Sequence, residues 1–229
     1  MPILALACDY DETLANQGQV AAPALQALLQ LKESGAKIIL VTGRQLGDLM
    51  AVCPEVHLFD FVVAENGALL YRPAARQTRS LAHRPAESFL DKLRQRGVQP
   101  LSAGRVIVAT VQQHYDAVRQ TIAEMGLDLE IIFNRDSLMV LPSGLNKGTG
   151  FKLALEELQV PAASVVGIGD AENDAAFLEM CGFSVAVANA IPSIREAADM
   201  VTGQDHGAGV VEVIHKVLAG EFDRVQTPR

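Results

Sequence analysis

Short apolar runs alternate with amphipathic stretches along most of this chain. Ile3 to Cys8, Lys37 to Val41, Phe61 to Ala64, Val165 to Ile168 and Phe183 to Val187 are each the length and composition of a buried strand. Between them, Ala22 to Ser34 sets Leu25, Leu28, Leu29 and Leu31 at helical spacing and stops at Gly35. Gln45 to Val52, Lys147 to Leu158, Asn173 to Cys181, Pro192 to Ala198 and Ala208 to Ala219 read as further helices, and Met200-Val201 as a last short strand. Strands and helices in alternation predict an α/β fold with a doubly wound, mostly parallel, Rossmann-like sheet.

The rhythm breaks in the middle. Ala86 to Arg96 and Gln113 to Met125 read as helices ending at Gly97 and Gly126. Val106 to Val111, Leu129 to Phe133 and Leu138 to Leu141 read as strands, the last two joined by the turn Asn134-Arg135-Asp136. The expected organisation is therefore a core domain over 1–75 and 146–220, an inserted small α+β module over 76–145, and a polar, flexible tail over 221–229. Glu65-Asn66-Gly67 is read as a turn before the apolar stretch Ala68 to Tyr71.

Composition narrows the function classes. At 229 residues with 49% hydrophobic residues the chain buries a sizeable core. Its net charge of -8 argues against a nucleic-acid binder, which needs a basic surface. Residues 72–105 depart from this balance, with eight Lys/Arg against Glu87 and Asp91; they form either a solvated charged face or an attractor of anionic substrate. The start has no basic segment and meets Asp9 too soon for a secretory apolar region, and no apolar run is long enough to span a membrane, so a cytoplasmic protein without membrane partners is expected. Cys8, Cys53 and Cys181 have neither disulfide nor zinc spacing, and His57, His83, His114, His206 and His215 form no metal-ligand pair on one helix face.

The chemistry sits just past the strands. Asp9 and Asp11 follow the first apolar run, and Gly169-Asp170-Ala171-Glu172-Asn173-Asp174 follows the run ending at Ile168. Carboxylates beside buried strands are costly to desolvate without a compensating cation, so the two patches suggest one shared metal site. Residues at i and i+2 of an extended segment face the same way, so Asp9 and Asp11 can address one substrate, one attacking phosphorus and the other managing the proton. Asp170 and Asp174 could hold Mg²⁺ beside Asp9. Lys147 opens a helix where an ammonium meets phosphate oxygens, and Thr42 and Gly43 offer a hydroxyl and backbone N–H groups at another helix start.

Taken together, Asp9-Tyr10-Asp11-Glu12-Thr13-Leu14, Thr42-Gly43-Arg44, Asn146-Lys147-Gly148 and Gly169-Asp170-Ala171-Glu172-Asn173-Asp174 resemble the four motifs of the haloacid dehalogenase superfamily, subclass IIB, the Cof-like and phosphoglycolate-phosphatase-like group. Glu65-Asn66-Gly67-Ala68 and Val185 to Asn189 add to the match. The resemblance implies Asp9 as nucleophile and Asp11 as general acid/base. It implies Mg²⁺ held by Asp9, the backbone carbonyl of Asp11, and Asp170 with Asp174. Thr42, Gly43, Lys147 and Asn173 would bind phosphate, with Arg44 and Asn66 beside the substrate. The middle module would be a C2-type cap reading the leaving group. Glu12 departs from the family, which commonly has glycine there; a positive φ at this position would strain it by about 1 kcal/mol or more. The activity implied is Mg²⁺-dependent hydrolysis of a small phosphorylated metabolite, a sugar phosphate or phosphoglycolate-like compound, through an aspartyl phosphate. The alternatives are a sugar phosphomutase using the same intermediate and, more remotely, a phospho-receiver module. Oligomeric state is not encoded legibly.

Overall fold

The computed structural model describes residues 2–224. In chain order its elements are β1 (Ala5–Asp9), β2 (Ala15–Asn16), β3 (Gln19–Val20), α1 (Ala22–Glu33), β4 (Lys37–Val41), α2 (Leu46–Val52), β5 (Phe61–Ala64), β6 (Leu69–Arg72), β7 (Gln77–Ser80), α3 (Glu87–Gln95), β8 (Ser102–Ala103), β9 (Val108–Val111), α4 (Tyr115–Met125), β10 (Leu129–Asn134) and β11 (Ser137–Pro142). They continue with α5 (Lys147–Leu158), β12 (Val165–Gly169), α6 (Ala175–Leu178), β13 (Phe183–Ala186), α7 (Pro192–Ala197), β14 (Met200–Val201) and α8 (His206–Leu218).

The main sheet has eight strands in the order β14-β13-β12-β1-β4-β5-β6-β7, parallel from β14 to β5 and antiparallel at β6 and β7. β1 lies between β4 and β12, so the crossovers leave in opposite directions at its carboxyl end, which is where open α/β sheets bind ligands. The register brings Asp9 opposite Val41, Val41 opposite Val63, and Cys8 opposite Ile168. The turns that follow β1, β4, β5 and β12 therefore open on one edge. All residues of β1, β5 and β12 are buried, as expected for a parallel sheet covered on both faces.

A second sheet of order β10-β11-β9-β8, antiparallel throughout, packs α3 and α4 over its own apolar cluster of Phe89, Leu90, Leu93, Val98, Val118, Leu138 and Val140. It has four strands where sequence predicts three. β8 pairs with β9 over two residues and has no apolar alternation to announce it.

Three expected boundaries move. β7 completes the edge of the main sheet as far as Ser80, although the inserted module was placed from 76. Its residues Gln77, Thr78, Arg79 and Ser80 are all exposed, so an edge strand of this kind carries no hydrophobic period. The stretch 221–229, expected as a flexible tail, holds Phe222 buried and in tilted ring contact with Phe183 at 4.7 Å between ring centroids; 225–229 lies outside the described residues. The helix expected over 173–181 is shorter, a 3₁₀ turn over Glu172–Asp174 followed by α6, because Asp174 Oδ2 folds back to accept the N–H groups of Asp170 and Ala171.

The basic stretch is largely absorbed by acidic neighbours. Arg72 and Arg79 pair with Glu157, Arg94 with Glu87 and Asp91, and Lys92 and Arg96 with Glu124. Among the described residues no helix is long and apolar enough to cross a membrane.

Candidate active site

Four turns after strands build the site. From β1 comes Asp9, 4% exposed, and from β12 comes Asp170, 1% exposed; a ligand oxygen from each, with one from fully buried Asp174, lies within 4.8 Å of the others. Lys147, at the first position of α5, is also fully buried and bridges Asp9 Oδ1 and Asp174 Oδ1, the latter at 2.6 Å. Its placement is fixed locally: Asn146 caps α5, accepting from the Thr149 N–H at 3.0 Å while Thr149 Oγ1 accepts the Asn146 N–H. Gly67, at φ 99, lets the turn after β5 close on this cap, since a Cβ there would stand 1.8 Å from the Asn146 carbonyl oxygen.

Electrostatics follow from burial. Desolvation pulls the Lys147 ammonium down, but Asp174 and Asp9 outweigh it and hold its pKa above the ordinary lysine value. Desolvation pushes Asp170 up, as does Asp174, against hydrogen bonds from Thr13 and Arg135. For Asp9 burial also acts upward, opposed by Lys147. Counted in their ionised forms, the three carboxylates face two cationic groups, Lys147 and Arg135, with one formal negative charge in excess. A divalent cation fits this set: every donor is a carboxylate oxygen, which suits a hard ion such as Mg²⁺.

Asp11 goes elsewhere. Its side chain receives a two-pronged hydrogen bond from Arg44, Nε to Oδ2 and Nη2 to Oδ1, both 2.7 Å, and stands outside the carboxylate cluster. Arg44 in turn lies over the ring of Tyr10, whose hydroxyl donates to the Gly18 carbonyl and so ties the β2–β3 hairpin to the site. Thr42 is buried with its hydroxyl accepting the Arg44 N–H at 3.1 Å. Gly43 faces Asn173 and Met139 of the inserted module: a Cβ on it would meet Met139 Sδ at 3.2 Å and Asn173 Nδ2 at 3.7 Å. Asn173 donates to Asn66 Oδ1 at 2.9 Å, which leaves the buried Asn66 Nδ2 and Asn173 Oδ1 without a protein partner among the described residues. Such groups are costly unless satisfied, and Asn66 Nδ2 is a donor of the kind a phosphate oxygen accepts.

Sequence reasoning gave no role to several residues that the fold brings here. Thr13 donates to Asp170 Oδ1 at 2.6 Å across 157 positions. Glu65, 1% exposed, accepts the N–H groups of Arg105, Val106 and Ile107 at 2.9, 2.7 and 3.0 Å and thereby fastens the inserted module to the core. Arg135 descends from the β10–β11 turn onto Asp170 Oδ2. Glu12 has φ 60, the strained case anticipated for it; its carbonyl accepts from Asn189 Nδ2 and its carboxylate meets His206 Nε2 at 3.0 Å. Glu12, Thr13 and Glu65 were visible as parts of motifs and Arg135 as part of a turn, but nothing in the local pattern marks the partners that the fold gives them.

Between the module and the core lies a cleft of about 460 Å³, lined by residues that include Asp11, Arg44, Arg135 and Met139. That volume is within the range of a small-molecule site.

Comparison with known proteins agrees with this arrangement. A model of the haloacid dehalogenase-like hydrolases matches residues 6–115 and 102–214. The phosphoglycolate phosphatase of Methanothermobacter thermautotrophicus is 34% identical over 223 residues, covering 93% of this chain and 98% of that protein. Phosphoglycolate phosphatase 2 of Saccharolobus solfataricus is 33% identical, covering 96% and 94%. A solved Thermoplasma acidophilum structure superposes with a TM-score of 0.81 at 17% identity over 95% of this chain and 99% of that one, a likeness of fold. The chain belongs to the haloacid dehalogenase-like hydrolase family and is a phosphatase.

Proposed function

We propose that this phosphatase is Mg²⁺-dependent, forms an aspartyl phosphate on Asp9 and hydrolyses a small phosphorylated metabolite of the phosphoglycolate kind. The observation that carries the reading is the convergence of Asp9, Asp170 and Asp174 around Lys147 at the carboxyl edge of the sheet. A bound divalent ion, held by Asp9, Asp170 and Asp174, would supply charge neutralisation at the phosphoryl oxygens.

The chain's own groups do the rest. Lys147 and the Thr42, Gly43, Asn66 and Asn173 cluster orient the phosphoryl group. An Asp9 carboxylate oxygen attacks phosphorus and the bond to the leaving oxygen breaks, while Asp11 delivers a proton to that oxygen. Asp11 then takes a proton from water as the water oxygen attacks phosphorus, and the Asp9–phosphorus bond breaks to release phosphate and restore both carboxyl groups. Arg44 positions the Asp11 carboxylate through its two-pronged contact, and one Asp11 oxygen has to leave that contact and take up a proton before Asp11 serves as the acid. The names of the curated relatives favour hydrolysis and a two-carbon acid substrate over transfer between sugar hydroxyls.

Phosphate release from 2-phosphoglycolate, measured with Mg²⁺, with EDTA and after Asp9→Asn, tests this directly. Activity should require the metal and fall by several orders of magnitude in the variant. Turnover persisting under either condition would refute the mechanism.

A further inference from the structure

Arg135 is the point where the inserted module reaches into the chemistry. It sits in the tight β10–β11 turn at φ 50, its backbone N–H 3.4 Å from Glu172 Oε2. Its guanidinium donates from Nε, at 3.1 Å, and from Nη2 to the same oxygen, Asp170 Oδ2, and from Nη2 to the Asn189 carbonyl at 3.4 Å. Asp170 Oδ1 is meanwhile taken by Thr13. A guanidinium and a divalent ion therefore compete for one carboxylate, since both need Asp170 and both are positive.

The cleft supplies the second half of the inference. Asp11, Glu12, Asp48 and Asp136 line it alongside two cations, Arg44 and Arg135. An anionic leaving group entering a cleft so rich in carboxylates needs a cation to receive it. Arg44 is already engaged at both prongs by Asp11 and backed by the Tyr10 ring. Arg135 rises from a surface turn, is 38% exposed and, besides Asp170, its guanidinium donates to the Asn189 carbonyl at 3.4 Å, so a cation that claims Asp170 leaves its fork beside the cleft and released from that carboxylate.

We propose that Arg135 exchanges carboxylates, giving up Asp170 to the divalent ion and receiving the carboxylate of the leaving group. This assigns to the β10–β11 turn a preference for acidic phosphomonoesters, and it rests on the phosphatase reading above.

The test compares wild type, Arg135→Gln and Arg135→Lys on 2-phosphoglycolate and on ethyl phosphate, an ester of similar length whose leaving group carries no carboxylate, with Mg²⁺ affinity measured by calorimetry. Arg135→Gln should lower kcat/KM for phosphoglycolate by about 10- to 100-fold and leave ethyl phosphate within about threefold, the difference expected for one charged hydrogen-bond pair. Arg135→Lys should keep part of the preference, because it retains charge without the planar fork. Mg²⁺ affinity of Arg135→Gln should rise, by up to about fivefold for an ion pair with one partly exposed member. Equal losses on both esters, no loss on either, or an unchanged or weakened Mg²⁺ affinity would overturn the proposal. Wild type inert on both esters would instead defeat the small-substrate reading, and the calorimetric comparison would still decide whether Arg135 and the ion compete.

Discussion

Glu12 holds a left-handed backbone at φ 60, where an L side chain meets its own carbonyl and glycine does not. The neighbours explain its persistence: Asn189 holds its carbonyl and His206 its carboxylate. Glu12→Ala and Glu12→Gly both remove the His206 contact, so their difference isolates the backbone, and the glycine variant should be the more stable by about 1 kcal/mol in urea unfolding. Equal stabilities would show that this φ carries no strain. The sequence exposed the departure from glycine, but it could not supply the φ or the two partners, which lie 177 and 194 positions away.

At the scale of elements, the joint between module and core depends on one buried carboxylate. Glu65 takes three successive N–H groups of the segment entering β9, and Gly104 leaves the room: a Cβ there would stand 2.7 Å from the Glu65 carboxylate. Glu65→Ala strands N–H groups that are otherwise buried and should cost about 2–5 kcal/mol. Hydrogen exchange should show faster exchange at Val106 and Ile107, and unchanged protection there would refute the joint. Within the module, Arg96 and then Lys92 hold the exposed Glu124 carboxyl well below its usual 4.5, at about 2, and tie α3 to α4. Because the folded pKa is depressed, this stabilisation is present above about 4.5 and fades as pH falls towards about 2. The Tm gap between wild type and Glu124→Gln, small because the pair is exposed, should therefore be present at pH 6 and narrow across that window. A gap independent of pH would argue against the ion pairs. These helices were legible from their apolar spacing, whereas β7 and β8 were not, since neither strand has a face buried deeply enough to impose a hydrophobic period.

For the whole molecule, the buried cluster couples folding to the cation. With one formal negative charge in excess when Asp9, Asp170, Asp174, Lys147 and Arg135 are all ionised, any cation that binds only the folded chain stabilises it, by about 2.7 kcal/mol at a hundredfold excess over Kd. Scanning calorimetry should show Tm rising with Mg²⁺ in wild type and rising much less in Asp170→Asn. A wild-type Tm insensitive to Mg²⁺ would remove the shared metal site.

The order of apolar runs and turns was enough to determine an α/β sheet with an inserted module, because strand and helix periods are local properties of the chain. It also marked Asp9, Thr42, Lys147 and Asp170, because each follows a strand or opens a helix. What only the tertiary structure decided is which groups face one another. The parallel register placed Asp9 and Asp170 side by side, gave Asp11 to Arg44, and brought Arg135 of the module onto Asp170. Such pairings depend on distances between segments far apart in sequence, and those are fixed by packing and chain crossover, which no local period records.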